Sequence, residues 1–301
     1  MKLKALVILL LLATVGMSQI SEQDREWNAP VEPFRIIGNV YYVGAAEVTS
    51  FLVTTPKGHF LIDSGYAETV PQIRANVERL GFKFDDIKVL LNTQAHYDHA
   101  GGFAEIRKLT KAKMIAGVRD KIGLESGGRN DFTWGDKFPF PPVAVDKIVV
   151  NNDRATLGGV TLTAVATPGH TRGCTMWILD TKEKGRNYRV AFVGSTTTPG
   201  YTLVDNQKYP TIVADFKHTF SVMGKLRPDV FLASHGSFFG LSEKAEQLRK
   251  GVVRNPFIDR KAYRVFVRDT RKAFLEKLAI EKRDKAKTPA PRPRIANVLI
   301  P

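Results

Sequence analysis

A short polar motif that follows an apolar segment constrains this chain more than any other feature. The apolar segment, residues 87–91, is typical of a buried strand, so the polar residues start where a strand ends. Within six residues the motif presents four potential metal ligands, Gln94, His96, Asp98 and His99. Because an extended chain repeats every two residues, we expect Gln94, His96 and Asp98 to point the same way.

The ligand types of this motif favour zinc. Imidazole nitrogen and carboxylate oxygen are the atoms that catalytic zinc sites use, and four donors plus distant histidines exceed the needs of one open tetrahedral ion. We therefore expect two adjacent zinc ions. The alternative is a polar turn with two solvated histidines. The preceding strand and the following pair Gly101 and Gly102 argue against that alternative.

The first residues are typical of a secretory signal peptide. Lys2 and Lys4 precede an apolar run over residues 5–15, and the small residues Gly16 and Ser18 follow it. The run is too short to cross a bilayer as a helix, so we expect a signal peptide over residues 1–18 and a periplasmic or secreted protein. No later segment has the length and apolarity of a membrane span.

The cysteine content limits how an exported chain of this kind can be stabilised. Cys174 is the single cysteine, so an intramolecular disulfide is impossible. Stability must then come from the core and the metal. We expect Cys174 to be a small buried core residue, although it lies close to His170 in the sequence.

The positive charge of the chain is concentrated at one end. The formal net charge is +15, a value that by itself suggests nucleic acid, an anionic surface or acidic substrates as partners. Residues 258–301 contain 13 Lys and Arg against 5 Asp and Glu, so more than half of the charge lies there. We predict a solvated helix face and, over residues 286–301, a disordered basic proline-rich tail; adhesion to an anionic surface is the alternative. We expect neither a nucleic-acid partner nor an obligate protein partner.

Strands and helices alternate along the rest of the chain, which predicts an α/β fold in one catalytic domain over residues 19–285. An irregular arm is expected around Trp27, and a polar turn over residues 182–187. The last helix is expected to begin at Pro256 and to run for roughly 25 to 30 residues. Residues 127–142 form a loop rich in aromatic residues, which either lines a binding site or packs on the domain face.

Three further strand ends carry residues of the same chemical type. Asp63 follows residues 60–62, and His170 and His235 each stand beside a glycine after a strand-like segment. In this order the motifs resemble those of the metallo-β-lactamase superfamily, over roughly residues 40–250. The resemblance implies an αββα sandwich with two zinc ions at one edge of the paired sheets. It implies that the first zinc binds Gln94, His96 and His170, and that the second zinc binds Asp98, His99 and His235.

Two positions distinguish subfamilies within this resemblance. Most members have histidine where Gln94 stands, although a glutamine-bearing minority occurs in the third subclass of class B β-lactamases. A neutral amide oxygen is a weaker zinc donor than imidazole, so we expect weaker binding of the first zinc. Glyoxalase and lactonase relatives have a metal-bridging aspartate at the position of Ser195. Ser195 followed by residues 199–201, Pro-Gly-Tyr, resembles the third subclass, in which the equivalents of Ser195 and Thr197 hydrogen-bond the substrate carboxylate.

The resemblance implies zinc-dependent hydrolysis of the β-lactam amide bond in small-molecule antibiotics. Zinc lowers the pKa of a bound water towards neutrality, so water and not serine is expected to attack. We expect Asp98 to be both a ligand and the residue that orients this water, and Asp63 to support the histidines from behind. The alternatives are a hydrolase of the same fold for a lactone, ester or phosphodiester, and a surface-binding protein with a vestigial metal site.

Export is testable by mass spectrometry. Protein recovered from the periplasm should have the intact mass of a chain that starts near Gln19, because the signal peptide is removed during export. Recovery of the full-length chain from the cytosol would contradict the assignment of residues 1–18.

Overall fold

The computed structural model describes residues 21–251 and 254–287. The predicted signal peptide and all but the first two residues of the predicted tail lie outside these ranges, so both stay predictions. Within the described ranges, no helix has the length and apolarity needed to cross a membrane.

The first half of the chain forms a seven-stranded sheet whose strands lie side by side in chain order. A short helix, α1 (Glu22–Trp27), precedes it. The strands are β1 (Phe34–Ile37), β2 (Val40–Tyr42), β3 (Phe51–Thr55), β4 (Gly58–Ile62), β5 (Ile87–Leu91), β6 (Lys113–Gly117) and β7 (Lys147–Val149). Strands β1 to β4 pair antiparallel, whereas β4 to β7 pair parallel.

Helices make the connections that the parallel strands require. These helices are α2 (Val70–Arg79) before β5, α3 (Tyr97–Ala100) and α4 (Phe103–Thr110) before β6, and α5 (Lys121–Ser126) before β7. The parallel strands β4 and β5 therefore end at the same edge of the sheet, where the polar motif begins.

The second half forms a five-stranded sheet in the order β12-β11-β10-β9-β8. Its strands are β8 (Arg154–Leu157), β9 (Val160–Ala166), β10 (Thr175–Glu183), β11 (Arg186–Val193) and β12 (Val230–Ala233). Only β11 and β12 pair parallel, and α6 (Ile212–Lys225) connects them. Helices α7 (Leu241–Arg249) and α8 (Arg260–Lys287) follow.

Alternation along the strands divides the core into layers. In β4, Phe60 and Ile62 join the cluster that also contains Trp177 and Phe192 of the second sheet. The intervening Leu61 joins a separate cluster with α2 and α4 on the outer face. Successive side chains of a strand point to opposite faces, so one strand serves both layers. Helices α6 and α8 pack beside the second sheet, and the predicted αββα sandwich is confirmed.

Two local predictions for exposed segments differ from the structure. Strands β10 and β11 stay paired out to Glu183 and Arg186, so the predicted polar turn is a two-residue hairpin turn at Lys184 and Gly185. Both turn residues have positive φ, 47° and 77°, as such turns require. The arm around Trp27 begins with a helix, α1, capped by Ser21. These segments are exposed, so their polar sequences lack the apolar periodicity that marks buried elements.

The last helix is an integral part of the domain. It has 28 residues, within the predicted length, but begins at Arg260 and not at Pro256. Phe274 is 1% exposed and stacks on Phe216 with ring centroids 5.1 Å apart. The Tyr263 hydroxyl donates to the Met223 carbonyl of α6 at 3.0 Å.

We expect Phe274→Ala to lower the free energy of unfolding by about 3–5 kcal/mol, because it removes a buried ring from a packed contact. The neighbouring Leu275→Ala, at a position 43% exposed, is the matched control and should change this free energy by less than about 0.5 kcal/mol. Urea unfolding of both variants provides the measurement. Equal effects would show that α8 is not part of the cooperative unit.

Candidate metal centre

Three donor atoms converge at the edge where β5 and β12 end. Asp98 Oδ2 lies 3.0 Å from His99 Nε2 and 3.6 Å from His235 Nε2, and the two imidazole nitrogens are 3.2 Å apart. A tetrahedral zinc with bonds of about 2.1 Å separates its ligand atoms by about 3.4 Å. The predicted ligands of the second zinc therefore have the spacing that one ion requires. Among the described residues, these three side chains form the group of His, Cys, Asp or Glu residues that lie close enough together to share one ion.

The backbone conformation of the motif differs from the prediction. Asp98 and His99 lie in the helical turn α3, and His96 precedes it in extended conformation. The expectation that Asp98 continues an extended chain is therefore wrong. The backbone turns here because α3 packs against the end of β4, where the Ser64 amide donates to the His99 carbonyl at 2.8 Å. A Cβ at Gly102 would lie 2.6 Å from the Ser64 carbonyl oxygen, so this approach requires glycine.

The predicted ligands of the first zinc also lie in this region. The rings of His96 and His170 are nearly perpendicular, with centroids 4.8 Å apart. Gln94 is fully buried, and neither atom of its side-chain amide has a hydrogen-bond partner among the described residues. A buried polar group without a partner costs free energy, and a metal ion would satisfy the amide oxygen. The donor set thus fits a metal at this position.

The charge state of the histidines suits metal binding. Burial and the neighbouring His99 lower the pKa of His235 to about 4. Burial and His96 lower the pKa of His170 well below its ordinary value. Both rings are therefore neutral at pH 7, which is the form that binds metal.

Asp98 and His99 form a buried pair, with Asp98 Oδ2 3.0 Å from His99 Nε2. Burial alone would raise the pKa of Asp98, but the imidazoles around it, His99 foremost, hold it well below its ordinary value. Burial opposes a charge on His99 as well, yet Asp98 raises its pKa above the ordinary value. Metal binding at this position requires the neutral form of His99, which Asp98 disfavours.

Two buried carboxylates hold the segment that carries Gln94. Asp63 accepts hydrogen bonds from the Thr93 amide at 2.8 Å and the Thr93 hydroxyl at 2.6 Å. On the other side, Asp120 accepts from the Ala95 amide at 3.0 Å. The expected support by Asp63 thus acts on the backbone next to Gln94, and not on a histidine ring. Burial raises the pKa of Asp63 to about 6.

Asp120 also ties the two loops of the first site together. Its carboxylate accepts from the Thr171 hydroxyl and the Gly173 amide, both at 2.8 Å, on either side of Arg172 in the loop that follows His170. No sequence pattern indicates this role, because Asp120 stands between Arg119 and Lys121, as is typical of an exposed charged turn. Its function depends on contacts made 25 and more than 50 residues away.

A match to a family model shows which superfamily this chain belongs to. The model, described as the metallo-beta-lactamase superfamily, matches residues 43–235, more than half of the chain. The chain belongs to this superfamily. The predicted resemblance is confirmed.

Solved structures of metallo-β-lactamases resemble the whole domain. The FEZ-1 metallo-β-lactamase of Legionella gormanii is 41% identical, with a TM-score of 0.83, and the match covers 85% of this chain and 98% of that one. BJP-1, a subclass B3 metallo-β-lactamase of Bradyrhizobium japonicum, is 38% identical with a TM-score of 0.81 over 87% and 98% of the two chains. The structural neighbours thus include the subclass that the sequence indicated.

The curated relatives point to another activity in the same superfamily. Hydroxyacylglutathione hydrolase of Rhodospirillum rubrum is 34% identical over 113 residues, which are 38% of this chain and 35% of that enzyme. The corresponding enzyme of Hyphomonas neptunium is 33% identical over 101 residues, 33% of this chain and 30% of that enzyme. The chain therefore spans about a third of the length of these relatives.

In this metallo-β-lactamase-fold protein, the predicted substrate-binding hydroxyls lie beside the first site. Ser195 Oγ and Thr197 Oγ1 are 2.9 Å apart, and the Thr197 carbonyl lies 2.9 Å from His170 Nδ1. Ser195 is 2% exposed and Thr197 is half-buried, so Thr197 is the more accessible of the two. Cys174 is buried, and burial raises the pKa of its thiol to about 12, in keeping with a core residue.

Aromatic side chains surround both metal positions. Trp27 and Phe238 contact the ring of His235, with centroids 5.1 and 5.0 Å away. Trp134 from the aromatic loop contacts His96 at 5.0 Å, whereas Phe132 of the same loop is buried in the core. Part of this loop therefore lies beside a predicted metal ligand, and part of it packs in the core.

A carboxylate that the sequence did not reveal stands behind His235. Glu47 Oε1 lies 3.6 Å from His235 Nδ1, the ring nitrogen opposite the metal-facing Nε2. The Ser237 amide and hydroxyl donate to this carboxylate and fix its position. Carboxylates in this position orient metal-binding histidines.

We expect Asp120→Asn to destabilise the metal-free protein by about 1–3 kcal/mol. Both oxygens of Asp120 accept hydrogen bonds, so the NH₂ of asparagine would face a hydrogen-bond donor in either orientation. Thr171→Val, which removes one of the three hydrogen bonds of Asp120, should cost about 1 kcal/mol. Urea unfolding after chelation measures both values. If Asp120→Asn is as stable as the wild type, Asp120 does not hold the loops together.

Proposed function

We propose that this protein hydrolyses the amide bond of β-lactam antibiotics in a zinc-dependent reaction. The observation that carries the proposal is the hydroxyl pair of Ser195 and Thr197 beside His170. Glyoxalase-type relatives place a metal-bridging aspartate where this chain has Ser195, so this centre lacks a carboxylate on which those enzymes depend. Similarity to subclass B3 enzymes over nearly their whole length supports the same reading.

The proposed reaction divides roles among residues of both sites. Gln94, His96 and His170 would hold one zinc, and Asp98, His99 and His235 the other. When bound, zinc supplies a water of lowered pKa and polarises the carbonyl of the scissile amide.

Protein groups orient the two reactants. Asp98 stays ionised because its pKa is held low, and its Oδ2 faces the histidines. We therefore assign its other oxygen, Oδ1, to orient the attacking water. Thr197, backed by Ser195, donates to the substrate carboxylate, and the aromatic side chains exclude bulk water. No serine nucleophile is required.

A second candidate is hydrolysis of a glutathione thioester, which is what the curated relatives are named for. The matched segments cover only about a third of those enzymes. Ser195 argues against this activity. The two activities share the metal sites, so the substrate decides between them.

A substrate panel with and without chelator separates these candidates. We expect turnover of a penicillin, a cephalosporin and a carbapenem to exceed that of a hydroxyacylglutathione thioester and a homoserine lactone. Chelation should abolish turnover and zinc should restore it, because zinc supplies the nucleophile. A protein that prefers the thioester, or that keeps full activity after prolonged chelation, would refute the proposal.

Unequal metal affinity is expected at the two sites. Gln94 offers an uncharged amide oxygen, whereas the second site combines an anionic carboxylate with two imidazoles. In a graded zinc buffer the protein should hold close to one ion at limiting zinc, and Gln94→His should raise this stoichiometry towards two. Asp98→Asn, the matched test of the second site, should remove most activity. Two ions of equal affinity in the wild type, with Gln94→His unchanged, would contradict the argument from ligand chemistry.

A further inference from the structure

We propose that Asp131 is a positioning residue that fixes the tautomer of His96, so that Nδ1 of this ring faces the first metal. The proposal rests on the metal centre of the proposed function and is independent of the substrate. It gives the aromatic loop a specific role, since Asp131 belongs to that loop and not to the metal-binding motif.

The two side chains face each other at a distance longer than a hydrogen bond. Asp131 Oδ2 lies 3.8 Å from His96 Nε2, a buried nitrogen with no hydrogen-bond partner among the described residues. The aspartate carboxylate is the group towards which this nitrogen can direct a proton. An imidazole that carries its proton on Nε2 has its lone pair on Nδ1, and that lone pair can bind a metal.

The loop holds the carboxylate in place. Asp131 Oδ1 accepts hydrogen bonds from the amides of Thr133 and Trp134, both at 2.8 Å. Backbone hydrogen bonds between Asp131 and Gly135, at 3.0 and 3.1 Å, close this short turn. The Trp134 ring then packs against His96, so the turn fixes both the carboxylate and one face of the imidazole.

Two of the other three predicted ligand histidines follow the same rule with different partners, whereas Nδ1 of His99 is buried without a hydrogen-bond partner among the described residues. His170 has its Nδ1 2.9 Å from the Thr197 carbonyl, and His235 has its Nδ1 3.6 Å from Glu47. Each of these rings therefore has one nitrogen beside an oxygen acceptor and the other available as a ligand. Asp131 has the corresponding place beside His96, in the site where Gln94 provides the weakest donor. Asp131 is not itself in the set of three ligand-type side chains that could share one ion.

Asparagine at this position tests the tautomer. The amides of Thr133 and Trp134 require an oxygen acceptor, so the Asp131→Asn side chain must keep Oδ1 in the present position and direct its NH₂ at His96. Nε2 must then accept, and the ring proton moves to Nδ1, where it blocks the metal. We expect zinc affinity at the first site to fall by about 10- to 100-fold and the second site to be unchanged.

Glu47→Gln is the matched control at the other site. It should weaken the second zinc and leave the first unchanged. Asp131→Ser provides a second test in case the asparagine variant folds poorly, because serine keeps an acceptor for the loop amides but is too short to reach His96. Its first-site affinity should also fall, by less than that of Asp131→Asn. Competitive zinc titrations measure all three variants.

Nitrogen-15 NMR of the histidine rings in the metal-free protein gives the decisive reading. The wild type should show the proton of neutral His96 on Nε2, and Asp131→Asn should show it on Nδ1. A wild-type ring protonated on Nδ1, or an asparagine variant with wild-type affinity for both ions, would overturn the proposal. Neither measurement uses a substrate, so a failed β-lactam assay leaves this test intact.

Discussion

The metal centre depends on buried carboxylates that hold backbone segments against one another. Gln94 and its neighbours follow the end of β5, and their unpartnered side-chain atoms are unfavourable in the absence of a metal. Asp63 fixes the backbone before Gln94, and Asp120 fixes the backbone after it together with the loop of His170. These hydrogen bonds satisfy backbone amides away from solvent and restrict the conformations that the donor-bearing segments can adopt. This arrangement reduces the ordering that binding would otherwise require.

The two predicted metal positions differ in the charge and arrangement of their donor atoms. At the second position, three donor atoms already lie within 3.6 Å of one another and include an ionised carboxylate. At the first, His96 and His170 lie side by side, but the third donor is the neutral amide of Gln94. Ligand charge therefore favours the second ion. Asp120 and, in our proposal, Asp131 support the first position, whose third donor is uncharged.

Helix α8 has a charged exposed side and a buried side that supports the candidate site. Its buried residues, among them Phe274, pack on α6, while its exposed side carries much of the positive charge. The Thr196 hydroxyl donates to the Thr270 hydroxyl of α8 at 2.9 Å, and Glu281 accepts from the amides of Leu203 and Val204. The helix thereby supports the segment that follows Ser195. Charge alone suggested a surface role for this region, whereas its buried face is structural.

The sequence by itself determined the fold class, and it identified the six candidate ligands and the uncharged donor Gln94 at the first predicted site. Those features depend on local signals: apolar periodicity, histidines beside glycines at strand ends, and the chemistry of Gln94. Only the tertiary structure decided that Asp98 and His99 lie on a helical turn, and that Glu47, Asp120 and Asp131 stand behind the site. Each of these three acidic residues meets its partner across 35 to 188 residues of chain. A contact between residues so far apart in the chain produces no periodic pattern in the sequence. It forms only when the two sheets bring separate loops to the same edge.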